Sequence, residues 1–435
     1  MFSVERGQFG PDFVFGTATS SYQIEGGQID GRGPSIWDTF SATPGNVKNA
    51  DTGAIACDHY NRWPEDLDII RDGGFDAYRF SFAWPRLIPD GTGAVNQAGL
   101  DFYDRLIDGM LARGLKPFAT LYHWDLPSPL QDRGGWMNRD IGGWFADYAA
   151  LVGKHFGDRL HATATINEPW CVSVLSHLLG IHAPGYRDLR AAARAMHHVL
   201  YAHGMGIDAL RADGVKNLGI VLNLEKSEAA TDSEADLKAL DIGDALFNRW
   251  FLGGIYKGQY PEVLTSILAP YLPKDWQKDM EIVGRPLDWG GINYYTRGLY
   301  AYDETRPAFP IKQVKGPLEK NDLGWEIYPQ GLTDLLVRVS REYTKLPLYV
   351  TENGMSENDD SRRTAYYDGH LKAVLDARAQ GADVRGYFAW SLLDNYEWAE
   401  GYTSRFGIVH VDYETQKRTP KGSYRAFQGM LHNTR

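Results

Sequence analysis

Cysteine is almost absent from this chain of 435 residues, which contains only Cys57 and Cys171. Two cysteines set no disulfide framework and are too few for a zinc site of their own. The sequence also lacks an apolar run of membrane-spanning length, and residues 1–15 contain neither the basic segment nor the long apolar segment of a secretory signal. We therefore expect a cytoplasmic protein that does not contact a membrane.

Clusters of positive charge are lacking as well. The chain has 45 Lys and Arg against 56 Asp and Glu, a formal net charge of -11. This balance argues against nucleic acid or an anionic membrane surface as a partner. Aromatic residues, in contrast, are plentiful, with 13 Trp and 25 Tyr. Their flat rings suit the faces of sugars, although they suit an aromatic-rich core equally well.

No linker rich in Pro, Ser or charge divides the chain, and one unit recurs along it: an amphipathic helix, a glycine stop and a short strand. Helical patterns cover residues 64–72, 98–113, 144–156, 189–212 and 362–380, and Pro64 suits a first helical turn. Strand patterns cover residues 13–19, 76–84, 116–124, 161–169, 217–224, 289–295, 348–354 and 384–392. Strands separated by helices indicate parallel pairing, and eight of them favour a closed barrel over an open sheet. We expect one α/β domain, residues 1–435, folded as a (β/α)8 TIM barrel.

The surplus length of the chain lies in segments that follow strands, namely 20–60, 125–143, 169–188 and 302–328. In a (β/α)8 barrel such long loops rise from the C-terminal face, where the chemistry is done. Segment 302–328 shows no periodicity, and we expect it to be a long irregular loop that forms a wall of the active site.

Two glutamates stand at matching strand ends. Glu352 follows a strand-like run and precedes the turn signal Asn353-Gly354, and Glu168 follows a second such run and precedes Pro169. Either one alone is best read as a solvated loop residue. Together they end the fourth and seventh strands, which lie nearly opposite on an eight-membered ring. Two carboxyl groups placed so meet the needs of glycoside cleavage, one as acid and one on the other side of the anomeric carbon. A separation of about 5 to 5.5 Å would imply retention of configuration and a wider one inversion, and the sequence leaves this open.

Seven stretches carry a family resemblance. They are FGTATSSYQIEG (15–26), YRFSFAWPR (78–86), YHWDLP (122–127), TINEPW (165–170), GINYYT (291–296), YVTENGM (349–355) and WSLLDNYEWAEGY (390–402). On these stretches the chain resembles the family 1 glycoside hydrolases, of the retaining β-glucosidase type, over nearly its whole length. The resemblance implies that Glu168 is the catalytic acid/base and Glu352 the nucleophile.

Arg79 is a cation inside an aromatic strand, where it is costly unless paired. A structural ion pair with any acid is one interpretation. The resemblance implies instead that Arg79 pairs with Glu352 and that Tyr295 donates a hydrogen bond to it. Both contacts favour ionised Glu352, whereas Glu168 has no cation in its motif and should keep a raised pKa.

The resemblance also implies a sugar-binding set, although for each tryptophan alone a core position is about as plausible. Asn167, next to Glu168, is placed for the 2-hydroxyl. Trp325, with Trp170, Cys171 and His182, is expected on the side of the departing group, the aglycone. The whole set comprises Gln23, His123, Asn167, Asn293 and Glu397 on hydroxyls, Tyr295 beside the nucleophile, Trp390 under the ring, and Trp124 and Trp398 at its edge.

Three functions are compared on these residues. We expect an exo-acting β-glucosidase that acts on small neutral glycosides of the cellobiose or aryl type, accepts galactosides and fucosides, and sometimes transfers the sugar to an alcohol. A 6-phospho-β-glycosidase is disfavoured, because Glu397 would repel phosphate and 395–402 contains no lysine. A non-catalytic sugar-binding protein would require the loss of Glu168 or Glu352. No metal or cofactor is expected, since His197, His198 and His203 lack the spacing of a two-histidine metal face.

Overall fold

Eight parallel strands close into a barrel in the computed structural model, which describes residues 1–27 and 29–432. Around the ring the order is β1, β8, β7, β6, β5, β4, β3, β2. Each strand lies inside one of the eight predicted segments, and the predicted (β/α)8 barrel is confirmed. The strands are β1 Val14–Ala18, β2 Ala77–Ser81, β3 Lys116–Tyr122, β4 Ala162–Asn167, β5 Leu218–Asn223, β6 Trp289–Asn293, β7 Leu348–Asn353 and β8 Val384–Trp390.

Large aromatic side chains fill the interior of the barrel below the strand ends. The rings of Phe118 and Phe388 have centroids 4.8 Å apart, and those of Trp289 and Tyr349 lie 5.6 Å apart. Gly16 makes room for this packing, because a Cβ there would lie 2.4 Å from the ring of Phe388. The barrel is therefore a packed core rather than a pore, and a ligand can enter only from the loops at one end.

One helix follows each strand along the chain, and the first seven of these helices lie between consecutive strands. The predicted helix over 189–212 is found at the same bounds, and the others differ at their ends. None of the helices in the described part of the chain is both long and apolar enough to cross a bilayer. The eight helices are α1 His59–Asp72, α2 Gln97–Ala112, α3 Ile141–Phe156, α4 Leu189–Ala212, α5 Trp250–Lys257, α6 Pro329–Glu342, α7 Asp360–Ala379 and α8 Gly422–His432.

The expected position of Pro64 in a first helical turn is wrong, because α1 begins at His59 and Pro64 lies inside it. One contact within the helix and one with a residue before it hold this extra turn. His59 Nδ1 lies 2.8 Å from Asp66 Oδ2, and the Tyr60 hydroxyl donates to Asp30 at 2.6 Å. These contacts offset the backbone hydrogen bond that Pro64 cannot make.

The expectation that 302–328 is irregular throughout is also wrong. It contains the strand Ile311–Val314, which pairs antiparallel with Arg297–Tyr302, and that strand pairs parallel with Lys226–Ala229. This three-stranded sheet stands on the loops after β5 and β6. Residues 311–314 read Ile-Lys-Gln-Val, which does not alternate between apolar and polar side chains. The sequence therefore carries little signal for this strand.

Short elements complete the loops. The segments Cys171–Leu178 and Ala245–Arg249 are wide-turned π-helices, a form often found beside functional sites. Val409–Val411 and Arg418–Pro420 pair as a hairpin. The remaining short helices are Arg6–Phe9, Ser21–Ile24, Ile36–Ala42, Lys48–Ala50, Trp84–Leu87, Ser128–Asp132, Gly135–Met137, Glu234–Asp244, Glu262–Leu268, Trp276–Asp279, Met280–Val283 and Trp398–Glu400.

Candidate active site

A cavity of about 860 Å³ opens at the carboxyl ends of the strands, and Glu168 and Glu352 both line it. This volume is in the range of pockets that bind small molecules. Glu352 lies in β7 and Glu168 directly follows β4, three places away around the ring. The fold therefore brings the two glutamates to one site, as the sequence predicts.

Glu352 has a cation and a hydroxyl as its closest partners. Arg79 Nη1 donates to Oε1 at 2.5 Å, and the Tyr295 hydroxyl donates to Oε2 at 2.6 Å. Arg79 and Glu352 are both buried, so this ion pair is shielded from water. Burial raises the pKa of Glu352, and the charge of Arg79 with the hydrogen bond from Tyr295 opposes that rise.

Glu168 has only neutral partners. Asn293 Nδ2 donates to Oε1 at 2.6 Å, and the Cys171 thiol donates to Oε2 at 3.0 Å. Burial raises the pKa of the Cys171 thiol far above its usual value, so the sulfur keeps its proton and acts as the donor. Burial, followed by the negative charge of Glu352, raises the pKa of Glu168 to about 8.

The two carboxyl groups share one neighbour and influence each other. The amide of Asn293 that binds Glu168 also lowers the pKa of Glu352 through a hydrogen bond. Since Arg79 and Tyr295 stabilise the anion on Glu352, that group ionises first. Its charge then disfavours a second anion at Glu168. The surroundings therefore favour the anion on Glu352 over the anion on Glu168.

Three residues of the site adopt backbone conformations that non-glycine residues seldom take. Glu168, Trp124 and Trp398 have φ of 52°, 79° and 48°. Such left-handed turns cost about 1 to 3 kcal/mol each and persist where the surrounding structure holds them. All three side chains line the cavity. The strained backbone conformations therefore occur at residues whose side chains point into the cavity.

Asn167 and His123 form a fixed pair beside the glutamates. Asn167 Oδ1 accepts hydrogen bonds from Arg79 Nη2 at 2.7 Å and Asn293 Nδ2 at 3.1 Å. Its amide nitrogen must therefore face His123 Nε2, 3.1 Å away, which leaves the ring proton of His123 on Nδ1. Burial and the charge of Arg79 hold the pKa of His123 far below its usual value, so the ring is neutral.

Glu397 lies at another edge of the cavity, above Gln23. Gln23 Nε2 contacts the backbone oxygen of Tyr396 at 2.9 Å, Asn395 Oδ1 at 3.1 Å and Glu397 Oε2 at 3.4 Å. Gln23 is fully buried beneath this edge, whereas Glu397 lines the cavity. Burial, and then the charge of Glu352, raises the pKa of Glu397 to about 8.

The predicted aromatic residues do gather around the cavity. The ring of His123 lies nearly parallel to Trp390 and Trp398, at centroid distances of 5.8 and 6.0 Å. Trp124 contacts Trp398 at 4.5 Å. Trp325, on the loop after β6, lies 5.6 Å from the ring of Tyr295 and lines the cavity. The inner cavity is thus bounded by flat rings on one side and by polar groups on the other.

Several lining residues carry no sequence signal and were missed. Phe247 packs on Trp170 with ring centroids 4.3 Å apart. Asn223, at the end of β5, contacts the sulfur of Cys171 at 3.6 Å. These residues lie outside the motifs, and only the fold brings them to the site. The missed lining residues outside the motifs also include Leu175, Leu179, Ile181, Arg297, Gln313 and Lys315.

Within residues 1–27 and 29–432 no three His, Cys, Asp or Glu side chains are grouped so that they could hold a metal ion. The three histidines of α4 are buried and hydrogen-bonded instead. His197 binds Tyr260 and Asp279, His198 binds a backbone oxygen, and His203 binds Thr165.

The geometry defines a class of protein before any comparison is made. Two buried carboxyl groups that line one cavity at the C-terminal face of a barrel, only one of them bound to a cation, are the equipment of a barrel enzyme that cleaves glycosides.

Comparison with known proteins then gives the family. The sequence pattern described as "Glycosyl hydrolase family 1" matches residues 5–435, and the chain belongs to that family. Among its relatives, "Beta-glucosidase A" of Thermotoga maritima is 47% identical over 98% of both chains. "Beta-glucosidase" of Agrobacterium sp. is 48% identical over 97% of this chain and 95% of that one. The structure of a family 1 β-glucosidase from Thermotoga maritima in complex with isofagomine lactam superposes with a TM-score of 0.95 at 46% identity, covering 98% of both chains.

Proposed function

We propose that this chain is an exo-acting retaining β-glucosidase, which hydrolyses terminal non-reducing β-D-glucosyl residues from small neutral glycosides. The observation that carries the proposal is the unequal pair of glutamates. Glu352 is bound by Arg79 and Tyr295, whereas Glu168 is bound only by an amide and a thiol. The names of the relatives from Thermotoga maritima and Agrobacterium sp. support it.

In the first step, ionised Glu352 attacks the anomeric carbon as the bond to the aglycone oxygen breaks. Protonated Glu168 delivers its proton to that oxygen, so the aglycone leaves as a neutral alcohol and the sugar becomes an ester of Glu352. Arg79 and Tyr295 keep Glu352 ionised and hold both of its oxygens in place. Glu168 supplies the proton because its pKa of about 8 keeps it protonated at neutral pH.

In the second step, water attacks the anomeric carbon and Glu168 takes the proton of that water. Esterification has removed the negative charge of Glu352, which is one of the causes of the raised pKa of Glu168. The pKa of Glu168 therefore falls between the two steps, and the same residue changes from acid to base. Two displacements at one carbon return the β-anomer, and an alcohol in place of water gives a transglycosylation product.

The shape of the cavity supports an exo-acting enzyme, since the packed barrel interior closes the cavity beneath the sugar. The polar edge formed by Glu397 supports acceptance of sugars that differ at the 4-hydroxyl. Activity on β-fucosides is further supported by a relative from Bifidobacterium breve, named "Bifunctional beta-D-glucosidase/beta-D-fucosidase", which is 43% identical over 96% of each chain.

A 6-phosphoglycoside is the less favoured substrate, because two acids, Glu397 and Glu400, line the edge of the cavity where the phosphate would have to be held. The nearby amine of Lys48 is paired with Glu400 and is not available to a phosphate.

We also infer that residues 1–435 act as one catalytic domain. Strand β1 pairs along its length with β8, so segments near both ends of the chain share the barrel.

Proton NMR of an aryl β-D-glucoside mixed with the enzyme tests the proposal. We expect β-glucose to be the first product, before mutarotation produces the other anomer. If α-glucose comes first, the covalent mechanism is wrong. If the aryl glucoside is stable and its 6-phosphate is cleaved, the substrate assignment is wrong.

A further inference from the structure

The mouth of the catalytic cavity carries a cluster of exposed aliphatic side chains that the mechanism does not use. Leu179 and Ile181 are 43% and 47% exposed, and both line the cavity. Leu175 lines it from one turn earlier in the same segment. Exposed single aliphatic residues are ordinary, but neighbouring ones at the edge of a binding cavity mark a surface that binds something apolar. We call Leu175, Leu179 and Ile181 the aliphatic rim.

The aliphatic rim lines the same cavity as two aromatic rings. Trp170 follows Glu168 by two residues, and its ring packs on Phe247. Both rings line the cavity, and along the chain the rim residues come after Trp170, in the π-helix Cys171–Leu178 and just beyond it. The cavity that receives the aglycone thus has two kinds of apolar surface, the first made of aromatic rings and the second of the aliphatic side chains of the rim.

A sugar does not match this second surface. Sugars stack on flat rings and need hydrogen-bond partners for the hydroxyl groups at their edges. Leucine and isoleucine side chains supply neither of these, so a hydroxyl turned toward them loses its water without a replacement. A hydrocarbon chain, in contrast, gains from every methylene removed from water.

We propose that the aliphatic rim binds the hydrocarbon portion of the aglycone, and that β-glucosides of extended apolar alcohols form the substrate class this enzyme is built to prefer. This inference rests on the proposed β-glucosidase activity and adds the aglycone to it. The remaining outer lining includes Arg297, Gln313 and Lys315, so a chain that lies against the rim keeps polar groups and water on its other side.

A series of n-alkyl β-D-glucosides, from methyl to octyl and below micelle-forming concentrations, tests the inference. The longer alcohols differ little as leaving groups, so kcat/KM reports contact with the wall rather than bond cleavage. Complete burial of a methylene gives at most about a fourfold gain. We expect kcat/KM to rise by about twofold for each methylene beyond butyl, as partial burial predicts.

The double variant Leu179→Ser with Ile181→Ser replaces the two exposed side chains of the rim and leaves the glutamates untouched. We expect its kcat/KM to become independent of chain length beyond butyl, while its activity on methyl β-glucoside and cellobiose stays within about twofold, because neither reaches the rim. Leu111→Ser is the matched control: Leu111, on α2, is 44% exposed but does not line the cavity. It should keep the full dependence on chain length.

The outcomes separate this inference from the activity on which it rests. A flat series in the wild-type enzyme, with aryl β-glucoside still cleaved, overturns the rim proposal and leaves the β-glucosidase intact. An unchanged slope in the double variant, or an equal loss on cellobiose, also overturns it. A change of oligomeric state in the double variant but not in Leu111→Ser would assign the rim to contacts between copies, against the proposal. Failure to cleave any β-glucoside would instead refute the proposed function.

Discussion

The carboxyl ends of β7 and β4 each present a buried glutamate to the same cavity, yet the two surroundings have opposite effects. At β7, a guanidinium group and a phenol donate to Glu352. At β4, an amide and a thiol donate to Glu168, and the charge with the largest effect on its pKa is the other carboxylate. Burial raises the pKa of both. Burial alone therefore does not distinguish the pKa values of the two glutamates, and the groups that contact each carboxyl do.

This contrast teaches that one residue type can perform two roles when a single cation is placed asymmetrically. Arg79 contacts Glu352 directly, whereas it lowers the pKa of Glu168 less than the hydrogen bonds from Cys171 and Asn293 do. In the proposed mechanism, the division of work between nucleophile and acid thus depends on which strand carries the arginine.

The largest effect is expected when Glu352 itself is removed. Glu352→Ala should lose roughly 10⁵- to 10⁶-fold in kcat, the scale seen when a catalytic nucleophile is deleted. Added azide should restore turnover of an activated aryl glucoside and give the α-glucosyl azide, because azide enters from the side that Glu352 occupied. In Glu168→Ala it should give the β-azide instead.

Product NMR distinguishes these azides, and the same anomer from both variants would contradict the assignment. Glu357→Gln is the control, since Glu357 is a buried glutamate after β7 that pairs with Arg362 and does not line the cavity. It should retain activity of the wild-type order.

The second largest effect is expected when the positive charge of Arg79 is removed. Arg79→Met leaves Glu352 buried without its charge partner, a change worth about 3 to 5 kcal/mol, or roughly 10²- to 10⁴-fold in kcat/KM. Arg79 lowers the pKa of Glu352, so its removal raises that pKa further. The acidic limb of the kcat/KM profile should therefore move to higher pH, and activity at low pH should be lost first.

Arg79→Lys tests whether charge alone suffices. It should move the acidic limb less than Arg79→Met does, because it keeps a cation but loses the second contact, to Asn167. An acidic limb that stays in place in Arg79→Met would show that Glu352 does not govern it.

Tyr295→Phe should have a smaller effect of the same sign. A hydrogen bond to a charged group is worth about 1.5 to 3 kcal/mol, so we expect roughly 10- to 100-fold lower kcat/KM. The pKa of Glu352 should rise, because Tyr295 lowers it. The neighbouring tyrosine supplies the control, since Tyr294 donates to the backbone oxygen of Tyr328 and not to a glutamate. Equal pH shifts in Tyr294→Phe and Tyr295→Phe would count against a specific role.

The smallest effect is expected from a change beside Glu168. Cys171→Val removes the thiol that lowers the pKa of Glu168, so that pKa should rise above about 8. The basic limb of kcat/KM should move to higher pH by no more than about one unit, since a neutral hydrogen bond is worth about 0.5 to 1.5 kcal/mol. Cys57→Ala, whose thiol donates to the backbone oxygen of Asp394, should leave the limb in place. A downward shift in Cys171→Val would contradict the contact.

Much of the barrel could be predicted from the sequence because its signals are local. Each strand is a short apolar run ended by a polar residue, and this pattern located Glu168 and Glu352 correctly at the ends of β4 and β7. The charge of Arg79 stood out for the same reason, since a lone cation in an apolar strand requires a partner. Features that one short segment of sequence encodes were accessible in this way.

Features that depend on distant segments were not accessible. The π-helix Cys171–Leu178 brings a thiol back onto Glu168, and neither residue pattern nor composition indicates such a turn. Phe247 comes to Trp170 from a helix more than seventy residues away along the chain. The strand Ile311–Val314 forms only because Arg297–Tyr302 is beside it. In each case tertiary packing decided the local structure.

The central claim is that Glu352 sets the proton on Glu168, and a titration measures this directly. With ¹³C-labelled glutamate, the carboxyl resonance of Glu168 is assigned by its absence in Glu168→Gln and followed against pH in the wild-type enzyme and in Glu352→Gln. We predict a pKa of about 8 in the wild type, and a lower one in Glu352→Gln because the neighbouring charge is gone. An equal or higher pKa in Glu352→Gln would contradict the account.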